Sequence, residues 1–359
     1  MIKIGIVTFT YGDNYGQRLQ NYAVQELLKG KGANVFTLRQ PLPKYSVPYR
    51  FRSFMMDLIH GDWGVKRKRH KSFSGFDATF IQYGESCPAK GECPPEIGTY
   101  DAFVAGSDQI WSPYLSDPEG IMFLSFAGDA KRISLSASIA APEIPAEKRC
   151  FYQKWLNKFD LISVRENNAG NIVKKLIGKD VPVLIDPTLM FDARQWSRIA
   201  KTPHYELPGS YALKYFLGSD SEKLYRFEAY CKREGLQIID LCADKHFYSE
   251  GPSEFLYLIQ HASLVATDSF HGSIFTLLFG IPLLLFDRSG SAYNMTDRFD
   301  TLAQKMGLGN WREYNWKALE NGGPKVLDID HHLMRERKSF EEYLDESLEI
   351  IRQEIDAHV

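Results

Sequence analysis

The stretch that most limits what this chain can fold into is residues 264–287, LVATDSFHGSIFTLLFGIPLLLFD. A short apolar run, Leu264 to Thr267, reads as a buried strand. A polar turn follows, and Ser273 then opens an apolar helix that Gly280 is placed to end. Ile281-Pro282 restarts the chain as a second buried strand. Strand, turn, helix and strand in this order make a unit of a parallel sheet, so the fold class is α/β. Ligands of such sheets bind outside the carboxyl ends of the strands. The turn therefore puts Asp268, Ser269 and His271 where an α/β protein does its chemistry. The N–H groups of Gly272 and Ser273 would lie at a helix N-terminus, which favours an anion. A plainer role for Asp268 and Ser269 is to cap the helix. His271, wedged between a capping signal and a glycine, points to function.

At 359 residues the chain is long enough for two domains. Its formal net charge of -2 gives no global basic field, so nucleic acid is not an expected partner. Residues 1–7 run straight into a strand pattern with no secretory leader, and no apolar run is long enough to span a bilayer, which points to the cytoplasm. The five cysteines suit reduced thiols; Cys87 and Cys93 lack the further Cys or His pair of a zinc site, and no metal is expected.

Taken in order, residues 2–9 read as a strand, 11–16 as a glycine-punctuated turn, and the next segment as a helix with Leu19, Tyr22, Ala23, Leu27 and Leu28 on one face. GxGxxG is missing, so a dinucleotide site is not supported. Asp13, Asn14 and Gln17 stand at the strand's carboxyl end, either binding sugar hydroxyls or starting the helix. Residues 40–98 are the least regular part, broken by Pro41, Pro43 and Pro48. They include the basic run from Lys66 to Lys71, read either as a solvated helix face or as a contact for an anionic membrane or a phosphate-bearing acceptor.

The strand at 100–105 leads into Gly106, Ser107, Asp108 and Gln109, a second polar turn that offers hydroxyl-binding groups. Strands are expected at 131–138 and 160–164. The latter ends in Arg165, suited to a carboxylate or phosphate or else paired with Glu166 or a nearby acid. A break falls at about 180–205, after which strands at 211–216 and 236–241 and a helix at 253–261, capped by Ser253, restore the rhythm. Arg288 is a second anion contact, residues 289–294 form a mobile loop, and a charged helix runs from about residue 331 to the end.

Six segments, TFTYGDNYGQRLQNYAVQELLK, YDAFVAGSDQIWSP, ISLSAS, FDLISVRE, VLIDPTLM and VATDSFHGSIFTLLFGIPLL, resemble the polysaccharide pyruvyl transferases and occur in that family's order. The resemblance implies two Rossmann-like domains facing across a cleft, of the GT-B type. Residues 1–180 would form the acceptor side and 181–330 the donor side, with residues 331–359 as a helix packing across both. It implies transfer of a pyruvyl group from phosphoenolpyruvate to two hydroxyls of a sugar, or of a lipid-linked oligosaccharide, with no separate cofactor. The SxRE arginine falls on Arg165 and the histidine of the DSxHG-type turn on His271. Asp13, Asn14, Gly106, Ser107 and Asp108 match the other motifs. In this scheme His271 is the general acid or base, Asp268 orients it or relays a proton to a hydroxyl, and Arg165, Arg288 and the 272–273 helix start hold the donor's two anionic groups. Two other readings stay open: a GT-B glycosyltransferase using a nucleotide sugar, and an idle binder of sugar or phosphate.

Overall fold

The computed structural model describes residues 1–40, 62–88, 95–218, 221–288, 296–320 and 322–357. Pro41, Pro43, Pro48, Cys93 and the loop at 289–294 lie outside the described residues. Two parallel sheets organise the chain. The first takes β1 (Lys3–Val7), β2 (Asn34–Arg39), β3 (Tyr83–Ser86), β4 (Ala102–Ala105) and β5 (Lys131–Ser134) in the order β3-β2-β1-β4-β5. The second takes β6 (Tyr211–Tyr215), β7 (Gln237–Asp240), β8 (Leu264–Thr267) and β9 (Leu283–Leu285) in the order β7-β6-β8-β9. Every pairing is parallel. The central strands β4 and β8 are buried along their whole length, as near-continuous apolar runs require when helices cover both faces.

Seven helices matter for the site: α1 (Tyr15–Gly30), α2 (Trp63–Phe80), α3 (Asn167–Ile177), α4 (Pro252–Gln260), α5 (Phe270–Leu278), α6 (Thr296–Met306) and α7 (Asp330–Ala357). The segment expected to be least regular thus carries α2 and β3. Arg69, in the middle of the basic run, is not solvated. It is buried at the seam between the halves, where its guanidinium donates to the Tyr15 hydroxyl (2.8 Å), the Tyr248 carbonyl (2.6 Å) and the Asp13 carbonyl (2.8 Å). α4 starts one residue before the expected Ser253, because Pro252 sits at the first helical position and Gly251 at the cap.

The strand expected at 131–138 pairs regularly only to Ser134. Beyond it serine hydroxyls interrupt the ladder, between backbone bonds such as Ala137 N–H to the Ser163 carbonyl (3.2 Å). The Ser134 hydroxyl donates to the Ser163 carbonyl (2.9 Å), that of Ser163 to the Ser134 carbonyl (2.8 Å), and Ser136 turns at φ 54°. Side-chain hydroxyls compete with backbone pairing in this way. Single parallel bridges, Ile133 with Leu161, Ala137 with Val164 and Val164 with Val183, carry the sheet edge onward. Val183 therefore stays attached to the first sheet, and the second sheet opens only at Tyr211, after the interval of about 180–205 where the break is expected.

One apolar core joins both halves: Ile4, Ile6 and Val104 from the first sheet share it with Leu283, Leu285 and Phe299. α7 completes it with Phe340, Leu344, Leu348 and Ile351, all buried, so the terminal helix packs across both halves. Its Tyr343 hydroxyl donates to the Ser134 carbonyl (2.8 Å), and its Glu336 pairs with Lys305 of α6. Among the described residues no helix is long and apolar enough to cross a membrane.

Candidate functional site

The segments that leave β4 and β8, together with those after Val164 and Ile185, converge on a buried carboxylate, Asp186. One of its oxygens accepts from the Thr188 backbone N–H (3.0 Å) and hydroxyl (2.7 Å), which closes the turn at Pro187–Met190. The other oxygen accepts from Arg165 Nη1 (2.7 Å) and from the Ser107 hydroxyl (3.3 Å), and stands 3.4 Å from His271 Nε2. Burial alone would raise the Asp186 carboxyl. The neighbouring His271 imidazole, then Arg165 and Thr188, outweigh it and hold Asp186 well below the usual carboxylate range.

Arg165 is buried as the sequence suggests, and its charge is matched on two sides. Asp186 is the close partner, and Asp108 Oδ1 lies 3.5 Å from Nη2. The guanidinium stacks over the Phe270 ring at 4.4 Å. Glu166, the neighbour proposed as its pair, instead collects the Ser138 hydroxyl (3.0 Å) and the backbone N–H groups of Ile139 (2.8 Å) and Ala140 (3.0 Å). Asp108 adopts φ 76°, a left-handed conformation costly for most L residues but within reach of aspartate. The turn is paid for by aiming that carboxylate at Arg165. Gly106 is packed against Thr8, and Ser107 is fully buried on Asp186, so this turn builds the site rather than lining open space.

His271 lies in the first turn of α5 and is 8% exposed. Asp268 does not orient it. The two Asp268 oxygens accept from the backbone N–H groups of Leu217 (2.7 Å) and Gly218 (2.8 Å), which fixes the loop after β6. Nor are the helix-start donors open to an anion. The Gly272 N–H donates to the Ser269 hydroxyl (3.3 Å) and the Ser273 N–H to the Ser269 carbonyl (2.9 Å), so Ser269 is the cap. At the N-terminal loop Asn14 caps α1 through the Gln17 N–H (3.2 Å), Asp13 meets His70 Nδ1 at 3.3 Å, and Gln17 is half-buried in the first turn. These three hold the start of α1 in place.

Three residues that sequence reasoning passed over complete the site. Gly16 packs against His271 so closely that a Cβ there would overlap the imidazole at Nδ1. Asp186 could have been found: it follows the apolar Val183-Leu184-Ile185 just as Asp268 follows β8. Arg298, buried in α6, gives no such signal, because an arginine in an amphipathic helix reads as solvated. Its guanidinium lies over Phe270 at 5.5 Å, and the Gln109 side-chain oxygen, in the orientation that satisfies both groups, faces it. Burial, then repulsion from Arg165, pushes Arg298 down to about 9, with Arg288 adding in the same direction. Arg288 reaches back to the Asp268 carbonyl at 3.5 Å. Two guanidiniums, Arg165 and Arg298, thus lie over Phe270 beside a histidine backed by a carboxylate, and Arg288 is near enough to Arg298 to repel it. Such a set can bind a small molecule with two anionic groups and pass a proton to or from it.

Among the described residues, His204, Glu250 and Glu254 bring ligand atoms within 4.8 Å of one another. Their oxygens already serve the local turn: Glu250 accepts from the His204 N–H (2.8 Å) and Glu254 from the Gly251 N–H (3.1 Å). We assign them to holding that turn.

A family model described as polysaccharide pyruvyl transferase matches residues 14–290. No curated protein matches the sequence. Among solved structures, one assigned as UDP-N-acetylglucosamine 2-epimerase from Listeria monocytogenes is similar at 11% identity and a TM-score of 0.51, over 96% of this chain and 97% of that one. Staphylococcus aureus MnaA with UDP is similar at 11% identity and a TM-score of 0.46, over 96% and 97%. A glycosyltransferase from Rickettsia africae is similar at 12% identity and a TM-score of 0.47, over 96% and 99%. The likeness is one of fold, two Rossmann-like halves in the GT-B arrangement.

Proposed function

The chain belongs to the polysaccharide pyruvyl transferase family, and on that premise we propose that it transfers a pyruvyl group from phosphoenolpyruvate to two hydroxyls of a sugar in a surface polysaccharide or its precursor. The two hydroxyl oxygens bond to the enol carbon and the C–O bond to phosphate breaks. One hydroxyl proton ends on the methylene, which becomes a methyl, and the other leaves with phosphate.

The observation that carries this reading is the set of Arg165, Arg288 and Arg298 beside His271. Arg288 and Arg298 meet the donor phosphate, and Arg165 anchors the Asp108 and Asp186 carboxylates. Those carboxylates favour the positive carbon that develops when the methylene is protonated. His271 gives or takes the travelling proton, with Asp186 standing 3.4 Å from its Nε2. We place the reaction in the cytoplasm, at the inner face of the membrane where the acceptor is lipid-linked.

The competing GT-B reading uses a nucleotide sugar, and the fold alone does not discriminate. Thermal stabilisation by phosphoenolpyruvate with none by nucleotide sugars is expected here; the reverse pattern would replace this reading. The direct test is phosphate release from phosphoenolpyruvate across a panel of sugar acceptors. His271→Ala should lower it at least about 100-fold without loss of fold, and turnover near the wild-type level would remove His271 from the mechanism. An idle binder would release no phosphate before or after the change.

A further inference from the structure

On the β7 side of the molecule a crevice of about 610 Å³ runs between α2 of the first half and the wall formed by Lys201, His204, Ser253 and Glu254 of the second. Lys68 and Lys71 enter it from α2, one turn apart on the helix, and Lys201 faces them from the other half. Among the described residues none of these three ammonium groups has a carboxylate partner within ion-pair distance.

The acids nearby are already engaged. The Glu250 side chain is 1% exposed and paired with His204 at 2.8 Å, and Glu254 holds the Gly251 N–H. The crevice therefore carries an excess of positive charge. Ser253 supplies a second, independent sign of a ligand. It is 3% exposed, lines the crevice, and its hydroxyl has no hydrogen-bond partner among the described residues. A buried hydroxyl left unmatched is uncommon, and an occupant with acceptor oxygens would satisfy it. Tyr205, also on this wall, is stacked on His246 at 4.3 Å between centroids, a fixed aromatic face of the kind a sugar ring rests on.

The crevice is tied to the catalytic imidazole by two consecutive residues of α1. The Tyr15 hydroxyl donates to the Glu250 carbonyl at 3.1 Å, and Gly16 presses on the His271 ring.

We propose that the crevice between α2 and the Lys201–Glu254 wall binds a phosphate or carboxylate group carried on a saccharide, as an acceptor subsite. That the saccharide is the acceptor rests on the transferase reading; that the crevice binds a sugar-borne anion does not. The probes are glucose 1-phosphate, glucuronate and glucose, titrated by calorimetry against the full chain and against Lys71→Gln, Lys201→Gln and the double variant. Thermal stabilisation by phosphoenolpyruvate is measured in parallel.

The wild type should prefer an anionic sugar over glucose by roughly 10-fold or more, the worth of one charge-assisted contact. The double variant should lose that preference while phosphoenolpyruvate still stabilises it, and which anionic probe responds names the group. Anion binding that the substitutions leave unchanged overturns the proposal. Lysine-dependent binding to phosphatidylglycerol vesicles with no binding of the soluble sugars also overturns it, and assigns the lysines to a membrane surface. If the lysine-dependent preference is present but phosphoenolpyruvate does not stabilise the protein, the crevice stands and the transferase reading falls.

Discussion

Asp186 and Asp268 are two buried aspartates, each 1% exposed and each just past a run of buried apolar residues. The sequence offers no obvious reason to rank one above the other, and proximity favours Asp268, three residues from His271. The structure separates them. Asp268 spends both oxygens on backbone N–H groups of one loop. Asp186 gathers a guanidinium and an imidazole from distant segments on one oxygen. The role of a buried carboxylate is set by which charged groups reach it, and long-range topology decides that.

The comparison can be broken most sharply at Asp186. Asp186→Asn keeps the shape but removes the counter-charge of Arg165 and His271. Turnover in the phosphate-release assay should fall at least about 100-fold. Unfolding by urea should show a loss of roughly 3–5 kcal/mol, the scale for stranding a buried charge. A variant as active and stable as wild type would dissolve the distinction.

Next in size is Gly16→Ala. The added methyl must displace the His271 ring. A reacting group moved by about 1 Å costs up to about 100-fold, so kcat should drop while circular dichroism is unchanged. Unaltered kcat would show that the ring tolerates the shift.

Asp268→Asn should be milder for catalysis, less than about 10-fold, because its partners are backbone donors of a neighbouring loop. Its main effect should be on stability, about 1.5–3 kcal/mol for weakened charged hydrogen bonds. A catalytic loss equal to that of Asp186→Asn would restore Asp268 to the proton relay.

The smallest effect is in pH dependence. Because the folded Asp186 carboxyl is depressed, its stabilisation is fully present above the unfolded value of about 4. It is lost as the pH falls below that toward the folded value. Acid unfolding of Asp186→Asn should therefore show a shallower slope below about pH 4 than wild type, and an unchanged slope would remove Asp186 as the coupled group.

Much of this was legible beforehand. The buried strands were marked by apolar runs, and His271 and Arg165 by their places just beyond them. What was not legible has physical causes. The serines at 134, 136 and 163 look like strand residues but bond the backbone with their hydroxyls, so the ladder stops early. The donors at 272 and 273 look open until the Ser269 cap is in place. Arg298 carries an ordinary helical pattern, and only the packing of α6 onto Phe270 makes it part of the site.

α7 has a consequence for how the molecule melts. Since Phe340, Leu344 and Leu348 are shared between Ile4 and Val104 on one side and Leu285 and Phe299 on the other, neither half has a complete interior without the other. Calorimetry should accordingly record a single endotherm rather than two, and trimming the chain before residue 340 should cost both halves their integrity at once.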